Sequence, residues 1–213
     1  VTIPDPGPDR GPGPGPGLGP GLGRGAAAVP LPRIAPRPPA PNRSPRLTEI
    51  LGAALRLLED EGAEALTMRR LGEVLGIRAP SLYKHLPGKG AVENALAETA
   101  LWEIGDALHR VVDAAGPDDV VIRLLAEYRR FARERPNLYR LVAANPLGRA
   151  ALTPGLEDWS GEPFYRATAD PYLAQALWAA AHGTVLLELD ERFVPGSDLA
   201  RTWAALAWVF TAR

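Results

Sequence analysis

Cysteine is absent from the 213 residues, which excludes a disulfide scaffold, a thiol nucleophile and a cysteine zinc site. Lysine is nearly absent. Of 24 basic residues only Lys84 and Lys89 are lysines, and they lie five positions apart. No uninterrupted apolar run approaches the roughly 20 residues that span a bilayer. No basic segment followed by an apolar core opens the chain, so neither a membrane span nor a secretory signal is expected, and the cytoplasm is the expected compartment. The three histidines, His85, His109 and His182, form no H-x-x-x-H metal pair. Strand alternation appears nowhere, so no glycine-rich phosphate loop can follow a strand. Ser81 and His85 share a helix face, yet nothing orients them as nucleophile and base. The expectation is a protein without catalytic residues, metal or cofactor.

Proline and glycine, 23 and 22 residues, are plentiful, and 14 of the prolines and nine of the glycines stand in the first 45 positions. Gly11-Pro12-Gly13-Pro14-Gly15-Pro16-Gly17 is low-complexity. Proline removes backbone donors and glycine raises the cost of ordering, so residues 1–45 are expected to be a disordered tail. Glycine does not recur strictly every third residue, which rejects collagen. The tail's arginines could sweep over nucleic-acid phosphates, but a dispensable extension is the simpler reading.

After the tail the pattern is all-α. Leu47, Ile50, Leu51, Ala54, Leu55 and Leu58 follow the spacing of an amphipathic helix, which Gly62 ends. Thr67 is a good N-cap for a short helix to about Leu75, with Met68, Leu71, Val74 and Leu75 turned inward. Gly76 supplies a turn, Ile77 plugs the core, and Pro80 sits in the first turn of another short helix reaching about His85. Longer helices are expected from Lys89 to Val112, Asp118 to Arg135, Pro171 to Phe193 and Asp198 to Phe210, with a short one after Pro136. Residues 145–169 read as loops with at most one helical piece.

The two short helices carry the most informative chemistry. A helix-turn-helix lays its second helix in the DNA major groove, where each base pair shows its own donor and acceptor pattern. Ala79 and Pro80 can meet thymine methyls, and Ser81 can bond a base edge or a phosphate. Tyr83, Lys84 and His85 can reach flanking phosphates. Arg69 is long enough for a guanine edge, and Lys89 can meet the DNA backbone at a helix N-terminus. Between Arg43 and Lys89 the chain holds eight basic against six acidic residues, which suits a phosphate partner.

The segment from about Leu47 to Glu98 resembles the DNA-binding domain of TetR-family transcriptional regulators. The resemblance rests on Ala53-Ala54-Leu55, Glu61-Gly62, Leu66-Thr67-Met68-Arg69-Arg70-Leu71, Leu75-Gly76-Ile77, Ser81-Leu82-Tyr83-Lys84-His85 and Lys89. It implies DNA contacts by Arg69, Ala79, Pro80, Ser81, Tyr83, Lys84, His85 and Lys89. It also implies a reading head over residues 46–90 and a helical domain over 91–213 that dimerises and holds a small-molecule effector. The function implied is a homodimeric repressor released from a palindromic operator by a ligand. The alternative is a helical protein-interaction or effector-sequestering module without specific operator binding.

In the second half, Trp178-Ala179-Ala180-Ala181-His182-Gly183 resembles the Trp-His-Gly signature (WHG) of one subclass of such C-terminal domains. Trp178 and His182 share a helix face. With Trp102 and Tyr128 they are the candidate ligand-binding residues. Trp203 and Trp208 on the last helix are candidates for a dimer seam.

Overall fold

A computed structural model describes residues 36–144 and 152–211. All the regular structure among these residues is helical. Ser44 opens α1 (Pro45–Glu61): its Oγ accepts from the Leu47 N–H at 3.2 Å, and Pro45 occupies the first turn. Ile50, Leu51, Ala53, Ala54, Leu57 and Leu58 form its buried stripe. Gly62, at φ +83°, ends it. Thr67 Oγ1 then accepts from Arg70 N–H at 3.1 Å and starts α2 (Met68–Leu75). At the far end Gly76 is left-handed, and the Ile77 N–H reaches back to the Gly72 carbonyl at 2.9 Å.

Val74 departs from expectation, being 45% exposed. Met68, Leu71 and Leu75 share one face at helical spacing, and position 74 falls beside it. The next helix, α3 (Ala79–Tyr83), is short and is anchored by fully buried Leu82. It stops before His85, as residues 84 and 85 form a turn.

A 26-residue helix, α4 (Lys89–Ala114), carries the chain about 39 Å from this head into the body. Around it stand α5 (Val120–Glu134), α6 (Pro136–Ala144), α7 (Leu156–Thr168), α8 (Pro171–Leu189) and α9 (Leu199–Thr211). One apolar core runs continuously from Ile50 in α1 to Ala207 in α9.

Head and body meet where α1 ends and α6 begins. The Asn137 and Leu138 N–H groups donate to the Glu59 carboxylate at 3.2 and 2.9 Å. The Asn137 side-chain amide donates to the Leu58 and Glu59 carbonyls, both at 3.1 Å.

Two stretches differ from the sequence reading. The expected loop after position 145 contains the 13-residue α7, with Pro163 inside it; residues 145–151 lie outside the described residues. Proline cannot donate to the Trp159 carbonyl four residues earlier. The His109 Nε2–H of α4 donates to that oxygen instead, at 2.9 Å, and its ring stacks on Trp159. The other His109 nitrogen lies 3.5 Å from the Glu162 carboxyl, whose pKa burial pushes up.

Of the expected tail, residues 1–35 lie outside the described residues, whereas residues 36–44, without regular secondary structure, are tied to α4 by two arginines. Arg37 makes a bidentate pair with Asp106 at 2.8 and 2.9 Å, its guanidinium 4.6 Å from the Trp102 ring centre. Arg43 donates to Thr99 and Glu98 at 2.8 and 2.7 Å.

Gly105 of α4 faces the Trp159 indole so closely that a Cβ there would overlap the ring. Gly105→Ala is expected to lower unfolding free energy in urea by about 1–3 kcal/mol, despite alanine's better helix propensity. Gly52→Ala in α1, where a Cβ meets only the end of Arg56 at 3.7 Å, is expected to raise it by up to about 1 kcal/mol.

Candidate nucleic-acid interface and internal cavity

The helix pair α2–α3 presents a polar outer face. Pro80, Ser81, Tyr83, Lys84 and His85 are all exposed, with Ala79 opening α3. Neighbouring arginines on α2 behave differently. Arg70 is engaged by Glu61 at 2.6 Å and Glu73 at 3.4 Å, and hydrogen bonding to it lowers the Glu61 pKa. Arg69 is 90% exposed, with Glu73 no nearer than 3.8 Å. Arg70 therefore braces the head, while Arg69 is available to a partner. Lys89 is partly committed: its ammonium donates to the Ala63 carbonyl at 3.0 Å and lies 3.6 Å from Glu93. It ties α4 to the α1–α2 connection, a role that its spacing in the sequence did not reveal.

The second feature is a cavity of about 840 Å³ in the body. Leu101, Ile104 and Leu108 of α4 and Phe131 of α5 supply apolar wall. Phe164 of α7 and Ala174 of α8 complete it. Polar groups enter from α5, α6, α7 and α8. The Tyr128 and Tyr139 hydroxyls are 2.9 Å apart, and the Tyr139 hydroxyl is 2.7 Å from His182 Nδ1. Trp178 stacks over His182 at 5.5 Å between ring centres. Burial pushes the Tyr128 phenol up to about 12 and also raises Tyr139. Burial lowers the pKa of His182, so its imidazole is neutral at ordinary pH.

Three of the four candidate ligand residues, Tyr128, Trp178 and His182, line this cavity, and Trp102 does not. Trp102 packs with Leu156 and Trp159 in a separate cluster, under Arg37. Tyr139, on the short α6, also lines the cavity, a residue that the sequence analysis did not single out. Trp203 is also displaced from its expected place. It is buried, and its indole donates to Glu188 at 2.8 Å, which also receives Arg129 at 2.8 Å. Trp208 does lie outside, 69% exposed, as do Tyr172, Leu187 and Val209 on the same helix pair.

A depressed histidine pKa makes the unfolded chain the better proton binder, so stability falls as pH drops through the unfolded value near 6.5. Melting temperatures at about pH 7.5 and about pH 5.5 are expected to differ less in His182→Leu than in the unaltered protein.

The sequence model described as "Bacterial regulatory proteins, tetR family" matches residues 50–96, and "Tetracyclin repressor-like, C-terminal domain" matches residues 121–210. An uncharacterized HTH-type transcriptional regulator of Mycobacterium tuberculosis is 31% identical over 155 residues, 66% of this chain and 68% of that protein. Tetracycline repressor protein class C of Escherichia coli is 50% identical over 52 residues, which are 24% of each chain. Among solved structures, a protein of unknown function from Rhodococcus sp. RHA1 superposes with a TM-score of 0.66 at 21% identity, covering 80% of this chain and 96% of that one. A TetR from Acinetobacter baumannii, in complex with minocycline, gives 0.54 at 21% identity, covering 80% and 94%. The Thr67 cap, the Gly76 turn and the exposed face of α2–α3 lie within the residues that the first of these models matches, and the chain belongs to the TetR family of bacterial, DNA-binding transcriptional regulators.

Proposed function

We propose that the protein is a homodimeric repressor that binds a palindromic operator and releases it when a small molecule enters the cavity. The observation that carries this reading is the pairing of two separate features. An exposed polar helix face stands at one end of α4, and a largely apolar cavity is built against its middle. The reading divides the chain into a head over residues 46–90 and an effector-binding and dimerisation domain over residues 91–213. Cytoplasmic action follows from a DNA partner; no helix among the described residues is long and apolar enough to cross a membrane.

In this reading Ser81 and Arg69 meet base edges, and Ala79 and Pro80 approach the groove floor. Tyr83, Lys84, His85 and Lys89 hold phosphates. Two heads must meet successive major grooves about 34 Å apart. A ligand that prefers a dimer with a different head separation weakens operator binding by its differential affinity. A 100-fold loss needs about 2.7 kcal/mol. The minocycline complex of the Acinetobacter baumannii structure supports a small-molecule site in this fold. The outward apolar side chains of α8 and α9 support a second copy of the chain as their cover.

Gel shifts with the DNA flanking the protein's own gene test the reading. Sequence-specific, salt-weakened binding of one dimer per palindrome is the expected result. Its absence at low salt favours the protein-interaction alternative. Tyr83→Ala is expected to weaken all sequences alike, and Lys84→Ala to do the same while lowering the salt slope by about one. Arg69→Ala is expected to cost about 1–3 kcal/mol at the preferred site and to relax base preference there. Trp208→Glu is expected to shift the sedimentation profile from dimer to monomer and to abolish operator binding. An unchanged dimer would move the seam away from α9.

A further inference from the structure

The chemistry of the cavity narrows what it can hold, an inference that rests on reading the cavity as the effector site. Tyr128, Tyr139 and His182 Nδ1 are joined by two hydrogen bonds, with the Tyr139 hydroxyl in the middle. Both tyrosines are buried, so a phenolic proton left without an acceptor would be costly. Only one arrangement uses both protons. Tyr128 donates to Tyr139, and Tyr139 donates to His182 Nδ1. In the reverse direction the imidazole donates to Tyr139, Tyr139 donates to Tyr128, and the Tyr128 proton has nowhere to go.

An imidazole that accepts at Nδ1 is neutral and carries its proton on Nε2. No residue among those described takes that Nε2 proton, and the ring lines the cavity. The formal charges lining the cavity among the described residues are Glu157 and Asp158; no lysine or arginine does so. We infer that the cavity selects an aromatic ligand bearing an uncharged carbonyl-type acceptor, which receives a hydrogen bond from His182 Nε2–H while its rings lie against Trp178 and the apolar wall. A carboxylate in the carbonyl's place would meet a neutral imidazole, with no lysine or arginine among the described lining residues. A plain hydrocarbon would leave the donor unpaired and buried.

Three probes of nearly one shape test this: 9-fluorenone, fluorene and fluorene-9-carboxylate. Affinity is read by quenching of tryptophan emission in the full chain without DNA. Fluorenone is expected to bind about tenfold more tightly than fluorene and than the carboxylate. His182→Leu is expected to reduce fluorenone to the level of fluorene while leaving fluorene unaltered, which also shows that the variant cavity still forms. Tyr139→Phe, which frees Nδ1, is expected to lower fluorenone affinity by a smaller factor. Independently of any ligand or variant, 15N NMR of the histidine side chains is expected to find the His182 proton on Nε2. The proposal is overturned by equal or tighter binding of fluorene or of the carboxylate, or by no saturable binding of any probe. A preference that survives His182→Leu, or a proton found on Nδ1, also overturns it. Fluorenone that binds as expected but does not release operator DNA would instead count against the cavity's regulatory role and leave its chemistry standing.

Discussion

Every helix ends in backbone groups that its own turns cannot satisfy, and this protein joins two such ends to each other. Glu59, near the close of α1, covers the free N–H groups at the start of α6. Asn137, at the start of α6, donates to the Glu59 carbonyl and also to the Leu58 carbonyl, which the Gly62 N–H shares. Neither helix end is complete without the other. A carboxylate at a helix N-terminus also meets the favourable end of the macrodipole, so the joint is electrostatically matched as well as geometrically matched. The attitude of the head is therefore set by α6, a helix of nine residues.

That same helix carries Tyr139 into the cavity. One face of α6 is bonded to the head, and another bears the middle member of the Tyr128–Tyr139–His182 chain. Under the proposed function, a molecule bound against that chain would press on the element that orients the head. Long α4 supplies a second, stiffer connection, and Lys89 pins its first turn to the end of α1. Head and cavity thus share two helices whose ends are chemically tied.

The head was legible in the sequence because its determinants are local. Thr67 as cap, Gly76 as a left-handed stop and Pro80 in a first turn each act within a few residues, and the structure shows all three in those roles. The body was less legible where the deciding interactions are distant. Gly161 and Pro163 read as loop punctuation, yet α7 runs through both because Trp159 and Phe164 are buried against α4 and α5. Trp102 and Trp203 were placed by being aromatic and apolar, but what decides their position is a cation from elsewhere. Arg37 covers Trp102, and Arg129 with Glu188 engages Trp203. Arg37 itself stands in a stretch whose proline content pointed to a tail, and its partner Asp106 is far away in sequence. Tyr128, Trp178 and His182 could be singled out because two of them share a helix face. Their connection through Tyr139 is a tertiary fact that no spacing rule contains.

Pro163 and His109 form a small unit of their own. The proline withdraws a donor from the middle of α7, and the imidazole of a different helix replaces it on the Trp159 carbonyl. Neither residue makes sense by itself. An amide-bearing residue at 163 would restore the helix's own bond and leave the imidazole without its acceptor, while loss of the imidazole would strand a carbonyl beneath an indole. The two positions should consequently be inherited together, so that a descendant that exchanges one is under pressure to exchange the other.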